Sequence, residues 1–144
     1  MWYNAIINWL LHSPLHGLIS ASMMTISYQG RRSGRAYTTP VNYHRLQGEA
    51  GEYLLTTSLR ARQWWRNLRG GAPVTVRVQG KDYKAMGEAI EAPEAVAADL
   101  MALFQSEPRF ARYLGVRLDK QGKLVEEEVQ KAAQTRVMIH TKIR

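Results

Sequence analysis

Residues 30–71 read GRRSGRAYTTPVNYHRLQGEAGEYLLTTSLRARQWWRNLRGG, and this stretch decides the fold. It opens on a glycine-bracketed basic turn, Gly30-Arg31-Arg32-Ser33-Gly34, and closes on a Trp- and Arg-rich segment ended by Gly70-Gly71. Between them, Arg35 to Leu46 alternates Tyr37, Thr39, Val41 and Tyr43 onto one face, which is the period of a strand. Pro40 lacks a ladder donor, so this strand is expected at a sheet edge or a bulge. Gly48 to Gly51 is a turn, and Glu52 to Ser58 a further strand with Tyr53, Leu55 and Thr57 alternating. Gly30 and Gly34 are the two turn residues expected to be free for positive φ in the hairpin. The spacing predicts a short helix over 61–69, with Arg62, Arg66 and Arg69 at i, i+4, i+7 on one face.

Outward from this stretch, Ala21 to Tyr28 reads as a strand preceding the basic turn. Trp2 to Leu11 reads as an N-terminal helix with a narrow polar stripe of Asn4, Asn8 and His12. Its other faces are apolar, so it must be covered by the domain, a second subunit or a lipid surface. Ser13-Pro14 caps a short second turn through Leu18. Downstream, Pro73 to Gln79 and Tyr83 to Glu91 form strands around the turn at 80–82. Pro93 starts an amphipathic helix ending near Glu107, Pro108 starts a shorter one stopped by Gly115, and Leu124 to Gln134 is helical. Thr135 to Ile143 alternates again and returns to the sheet. These elements define one α+β domain over 1–144: a small, mostly antiparallel barrel of about six strands with helices at the ends and between.

The chain has 144 residues and a net charge of +8. Residues 1–30 carry no charged side chain, whereas 31–80 hold nine Arg against two Glu, so one third of the chain supplies +7. Such concentration implies an anionic partner. Fourteen Arg against six Lys favours planar, bidentate recognition of phosphate or carboxylate. With no cysteine, neither a disulfide framework nor a thiolate metal site is possible. The N-terminus shows neither the charged n-region of a signal peptide nor about 20 apolar residues of a spanning helix, so the expected location is cytoplasmic.

Dinucleotide, phosphate-loop and His-Glu-x-x-His motifs are absent. Of the histidines at 12, 16, 44 and 140, only the first two are helically spaced; Pro14 lies between them without a nearby carboxylate, so no metal site is expected. No nucleophile elbow or acid pair stands out, and a bound cofactor must then bring the chemistry. The turn Arg31-Arg32-Ser33 suits an anion, with backbone N–H groups, guanidinium and hydroxyl. Arg60, Arg62 and Arg66, following Ser58 at a strand end, form a second basic cluster. Together the two clusters suit the two ends of a long anionic cofactor, with Trp64 and Trp65 as a flat wall.

The ordered set Gly30-Arg31-Arg32-Ser33-Gly34, Thr39-Pro40-Val41, Ser58, Trp64-Trp65-Arg66-Asn67-Leu68 and Pro73-Val74-Thr75-Val76 resembles the deazaflavin-dependent nitroreductase and quinone reductase family. The likeness is close over about 20–79 and holds elsewhere in element order. It implies a split β-barrel that binds coenzyme F420, or FMN in relatives, and passes hydride to quinones, nitro compounds or similar electron-poor acceptors. On matching positions, Arg31, Arg32 and Ser33 would meet the phosphate or polyglutamate tail. Thr39, Pro40 and Val41 would lie along the ring. Ser58 and Arg60 would bind near the phosphate, with Trp65 and Asn67 organising that loop. Tyr113 aligns with a family tyrosine near the substrate and would donate a hydrogen bond or proton to the acceptor; Phe110 stands where some members have a second tyrosine. The segment between Ser58 and Trp64 is shorter than usual, so Arg60 or Arg62 would replace lost backbone donors by charge. Replacing Arg32 or Arg60 by Ala should then weaken cofactor binding by roughly 1–3 kcal/mol each.

A homodimer is implied by the resemblance, and peripheral membrane contact through the N-terminal helix stays open. Two other readings remain at this level. One is a non-catalytic barrel carrying a flavin, haem or tetrapyrrole; the other is a basic barrel for single-stranded nucleic acid. The last is disfavoured, because the aromatics cluster on one segment rather than alternating with Arg along strands.

Overall fold

The structure, a computed structural model, describes residues 23–144. The helix expected over Trp2–Leu11, the turn after it and the first positions of the strand expected from Ala21 lie outside the described residues. Seven strands form one antiparallel sheet: β1 (Met23–Gln29), β2 (Ala36–Asn42), β3 (His44–Gly48), β4 (Gly51–Leu59), β5 (Ala72–Val78), β6 (Lys81–Ile90) and β7 (Arg136–Ile143). Three helices follow β6: α1 (Pro93–Ser106), α2 (Pro108–Tyr113) and α3 (Glu126–Thr135). The sheet order is β2-β1-β5-β6-β7-β4-β3.

The count of about six strands becomes seven because the run expected from Arg35 to Leu46 is two strands at opposite ends of the sheet. Ala36–Asn42 pairs with β1, from Gln29↔Ala36 to Met23↔Asn42. Beyond buried Tyr43, His44–Gly48 pairs instead with β4, from His44↔Leu55 to Gly48↔Gly51. One alternating sequence therefore bridges the gap that rolls the sheet into a split barrel. Side chains help to close the seam. Asn42 Nδ2 donates to Thr57 Oγ1 (3.3 Å), its Oδ1 accepts the Thr57 N–H (3.2 Å), and its backbone carbonyl accepts from Thr56 Oγ1 (2.8 Å). Pro40 sits in the edge strand, where its missing donor does no harm.

Strand periodicity divides the core in two. Met24, Ile26, Leu54, Val76, Val137 and Ile139 fill the barrel, and Trp65 and Leu68 plug it. The alternate residues Leu55 and Met138 pack with Val96, Leu100, Leu103 and Phe104 of α1 and Val129 of α3. Truncating fully buried Leu100 or Phe104 to Ala should cost a few kcal/mol, about 2–5.

The helix expected over 61–69 is instead two 3₁₀ turns, Arg60–Arg62 and Trp64–Leu68. Gln63 between them takes the left-handed conformation with φ 65°. A non-glycine residue there costs roughly 1–2 kcal/mol, and it breaks the helical register that had aligned Arg62 with Arg66 and Arg69.

Candidate functional site

A cleft of about 640 Å³ is lined by Pro40, Val41 and Asn42 of β2 and Thr57 and Ser58 of β4. Arg62 and Trp64 contribute from the 3₁₀ turns, and Glu107, Arg109, Phe110 and Tyr113 from the start and body of α2. A second cavity, about 530 Å³, is basic: Arg31, Arg32, Arg66 and Arg69 line it with Ser33 and Asn67. An aromatic row runs between the two. Trp64 lines the cleft and lies 5.6 Å from Tyr28, which stacks on Tyr37 at 5.8 Å; both tyrosines line the basic cavity.

The basic turn is held against the second 3₁₀ turn by side chains. Asn67 Oδ1 accepts the Arg31 N–H (3.0 Å), while Asn67 Nδ2 donates to the Trp64 carbonyl (2.8 Å). The Arg31 guanidinium donates to the Arg69 carbonyl. Ser33 Oγ accepts the Arg35 N–H (3.2 Å) and bonds the Tyr37 hydroxyl (3.1 Å). Arg32 extends from the turn with no hydrogen bond or ion pair among the described residues. Only one of the two bracketing glycines has the expected conformation: Gly34 has φ 71°. Gly30 serves close approach instead, since a Cβ there would lie 2.7 Å from Tyr37 Cε2 and 2.9 Å from Ser33 Oγ.

The sequence-predicted residues thus fall into three places. Pro40, Val41, Ser58, Arg62 and Tyr113 meet at the cleft. Arg31, Arg32, Ser33 and Asn67 meet at the basic cavity. Thr39, Arg60 and Trp65 line neither. Thr39 is buried with Oγ1 3.3 Å from the Tyr28 hydroxyl. Arg60 Nη2 donates to the carbonyls of Glu91 (2.7 Å) and Arg136 (3.1 Å), joining the end of β4 to β6 and β7. Trp65 lies in the barrel core with Nε1 donating to the Arg60 carbonyl (3.1 Å). Its neighbour Trp64 takes the cleft position and donates Nε1–H to Ser58 Oγ (3.0 Å). Tyr113 is 80 % exposed at the cleft and stacks on Phe110 at 5.4 Å.

Sequence reasoning missed Asn42, Thr57, His44, Glu107 and Arg109. His44 and Glu107 lie sixty-three positions apart, and nothing in either local pattern announces that they meet. His44 is 8 % exposed; its Nδ1 pairs with Glu107 Oε2, and Phe110 stands edge-on at 4.3 Å.

The electrostatics follow from these contacts. Burial is the main influence on the Arg136 guanidinium and pushes its pKa down, with Tyr113 opposing through space. The Glu91 carboxyl is held below its ordinary value, chiefly by its hydrogen bond from Arg69, with desolvation opposing. The Arg69 guanidinium is therefore paired within the fold, whereas Arg32 has no ion-pair partner among the described residues.

These cavities fit a flat, polar-edged ring joined to an anionic tail. β2 is an edge strand, so half its backbone donors and acceptors face away from β1, as the polar rim of such a ring requires. The unpaired guanidinium of Arg32 beside the Ser33 turn suits a phosphate or carboxylate.

The strands and their pairing define a split-barrel domain. The fold recurs in a pyridoxamine 5'-phosphate oxidase-related, FMN-binding protein from Nostoc punctiforme PCC 73102, with a TM-score of 0.50. That likeness spans 99% of this chain and 80% of the other at 13% identity, and supports the fold alone. No curated protein sequence matches the chain. The family model for F420H(2)-dependent quinone reductase matches residues 15–115, and the chain belongs to that family.

Proposed function

We propose that the chain is an oxidoreductase using reduced F420, with FMN as the alternative, to reduce a quinone. Nitro compounds and similar electron-poor acceptors are further candidate substrates. One observation carries this reading: a cleft bordered by an edge strand adjoins a basic cavity holding an unpaired arginine, with an aromatic row between them. Pro40, Val41, Asn42, Thr57 and Ser58 would hold the ring, and Arg31, Arg32, Ser33 and Arg66 the anionic tail. When bound, the cofactor supplies a hydride. The protein's own work is positional and electrostatic: edge-strand backbone groups orient the ring, Trp64 and Phe110 exclude water, and Arg62 and Arg109 attract a polarised acceptor. Tyr113, at the exposed rim, is placed to hydrogen-bond an arriving acceptor. We further infer a homodimer, whose interface would include the N-terminal residues, and a cytoplasmic location. Among the described residues no helix is long and apolar enough to cross a membrane.

The test is quenching of intrinsic tryptophan fluorescence by F420 and by FMN, followed by anaerobic oxidation of the reduced complex with menadione. Micromolar or tighter binding and menadione-dependent oxidation are expected. Absence of binding to both cofactors would overturn the reading. Binding without turnover would assign a non-catalytic carrier of the cofactor.

A further inference from the structure

His44 starts β3 immediately after the chain crosses the barrel seam, so backbone pairing with Leu55 fixes its position. Its ring lines the cleft and is almost wholly buried, with a side chain 7 % exposed. Nδ1 is occupied by the Glu107 carboxylate. Nε2 is buried and has no hydrogen-bond partner among the described residues. Leaving such a group unsatisfied is costly, a penalty removed by a ligand that offers a partner. A carboxylate on one imidazole nitrogen fixes the tautomer and the ring orientation, and leaves the other nitrogen for a ligand. Among the described residues, cationic Arg62 and Arg109, anionic Glu107 and the Tyr113 hydroxyl are the other charged or titratable groups lining the same cleft.

We propose that His44 is the catalytic acid that protonates the acceptor, and that Glu107 is its positioning residue. This rests on the reading that the cleft takes the acceptor. Reducing a quinone to its hydroquinone consumes two electrons and two protons. The hydride brings both electrons and one proton, and negative charge develops on a carbonyl oxygen. The Nε2–H bond breaks, an O–H bond forms on that oxygen, and the N–H electron pair stays on the imidazole. Oxidation of the reduced cofactor releases one further proton to solvent, and solvent returns one to Nε2, so the balance closes. Glu107 compensates the imidazolium before transfer. Glu107 stands at the start of α2 and holds Nδ1, while Phe110 of the same helix meets the His44 ring edge-on at 4.3 Å.

The test uses the cofactor-free protein and 2-hydroxy-1,4-naphthoquinone, whose coloured anion offers an oxyanion of the kind His44 would protonate. Binding is followed by visible absorbance from pH 5 to 9. The wild type is expected to bind the anion tightly at low pH and progressively less as His44 loses its proton. In His44→Gln the affinity at low pH falls about tenfold, the equivalent of 1.4 kcal/mol, and the pH dependence attributable to this ring disappears. In Glu107→Gln the affinity at low pH also falls, because Nδ1 has lost the carboxylate that orients the ring. With cofactor bound, His44→Gln should lower kcat with menadione by 10²–10⁴-fold, the usual worth of general acid catalysis. Should the wild type fail to bind the naphthoquinone, the acceptor site lies elsewhere and the proposal falls with that reading. Should it bind while both variants keep its affinity and pH profile, His44 and Glu107 only anchor α2 to β3, and the proposal alone is overturned.

Discussion

Asn67 accepts the backbone N–H of Arg31 at 3.0 Å, across thirty-six residues of chain. The bond joins the basic turn to the 3₁₀ segment carrying Trp64, and the same carboxamide donates to the Trp64 carbonyl at 2.8 Å. The Asn67 side chain therefore helps to set the relation between the basic cavity and the cleft, beside the Arg31 guanidinium on the Arg69 carbonyl. Asn67→Ala should lose about 1–2 kcal/mol of stability from the two bonds. It should also weaken cofactor affinity through a loosened turn. Urea denaturation and fluorescence titration measure the two effects. Lost stability with unchanged affinity would mean that the turn keeps its shape without Asn67.

Arg32 and Arg60 should respond differently to truncation. The Arg32 guanidinium has no partner among the described residues and borders the basic cavity, so Arg32→Ala should weaken cofactor binding by about 1–3 kcal/mol with little change in melting. Arg60 bonds the carbonyls of Glu91 and Arg136, and its Nε is buried. Arg60→Ala should therefore lower the melting temperature first, because two β-strand ends lose their link to β4. Equal loss of affinity in both variants, without loss of stability in Arg60→Ala, would place the phosphate near Arg60 after all.

The contrast between these arginines shows what the sequence made legible. The strands were readable where alternation survives as burial on one face, as at Val74–Val78; in β2 the consecutive residues Thr39, Pro40 and Val41 are buried and Tyr37 is exposed. The break at Tyr43 was not, because neither Gly nor Pro marks it, although the two halves pair with strands at opposite sheet ends. Arg62 was grouped with Arg66 and Arg69 by helical spacing, and Gln63 at φ 65° sends them to different cavities. Of the expected Trp64–Trp65 wall, Trp64 lines the cleft and Trp65 turns into the barrel core. His44 and Glu107 depend on how α2 folds back on the seam, a tertiary relation with no short-range signature.

The Arg69–Glu91 pair gives an acid limb to stability. Arg69 Nε and Nη2 bond both Glu91 oxygens at 2.9 and 2.8 Å. This holds the Glu91 carboxyl below its ordinary 4.5 in the folded state. The folded value is depressed, so the stabilisation is complete above pH 4.5 and is lost as the pH falls through the folded value. The effect should be modest, because both side chains are partly exposed. Melting curves of wild type and Glu91→Gln should differ at pH 7 and converge on acidification. A constant difference down to pH 3 would show that the variant acts through packing rather than charge.

Asn42 should matter to both stability and binding, since it closes the barrel seam and lines the cleft. Its Oδ1 accepts from the buried Thr57 N–H at 3.2 Å, and its Nδ2 donates to Thr57 Oγ1 at 3.3 Å. Asn42→Ala orphans that backbone donor and should cost about 1–3 kcal/mol. Asn42→Asp keeps an acceptor for the N–H but loses the donor, and its loss should be intermediate. Hydrogen exchange locates the damage: protection at Thr57 should fall in Asn42→Ala while Val76 in the barrel core keeps its rate. Uniform loss of protection across both strands would mean that the seam opens only with global unfolding. Asn42 would then stabilise the whole barrel rather than its closure.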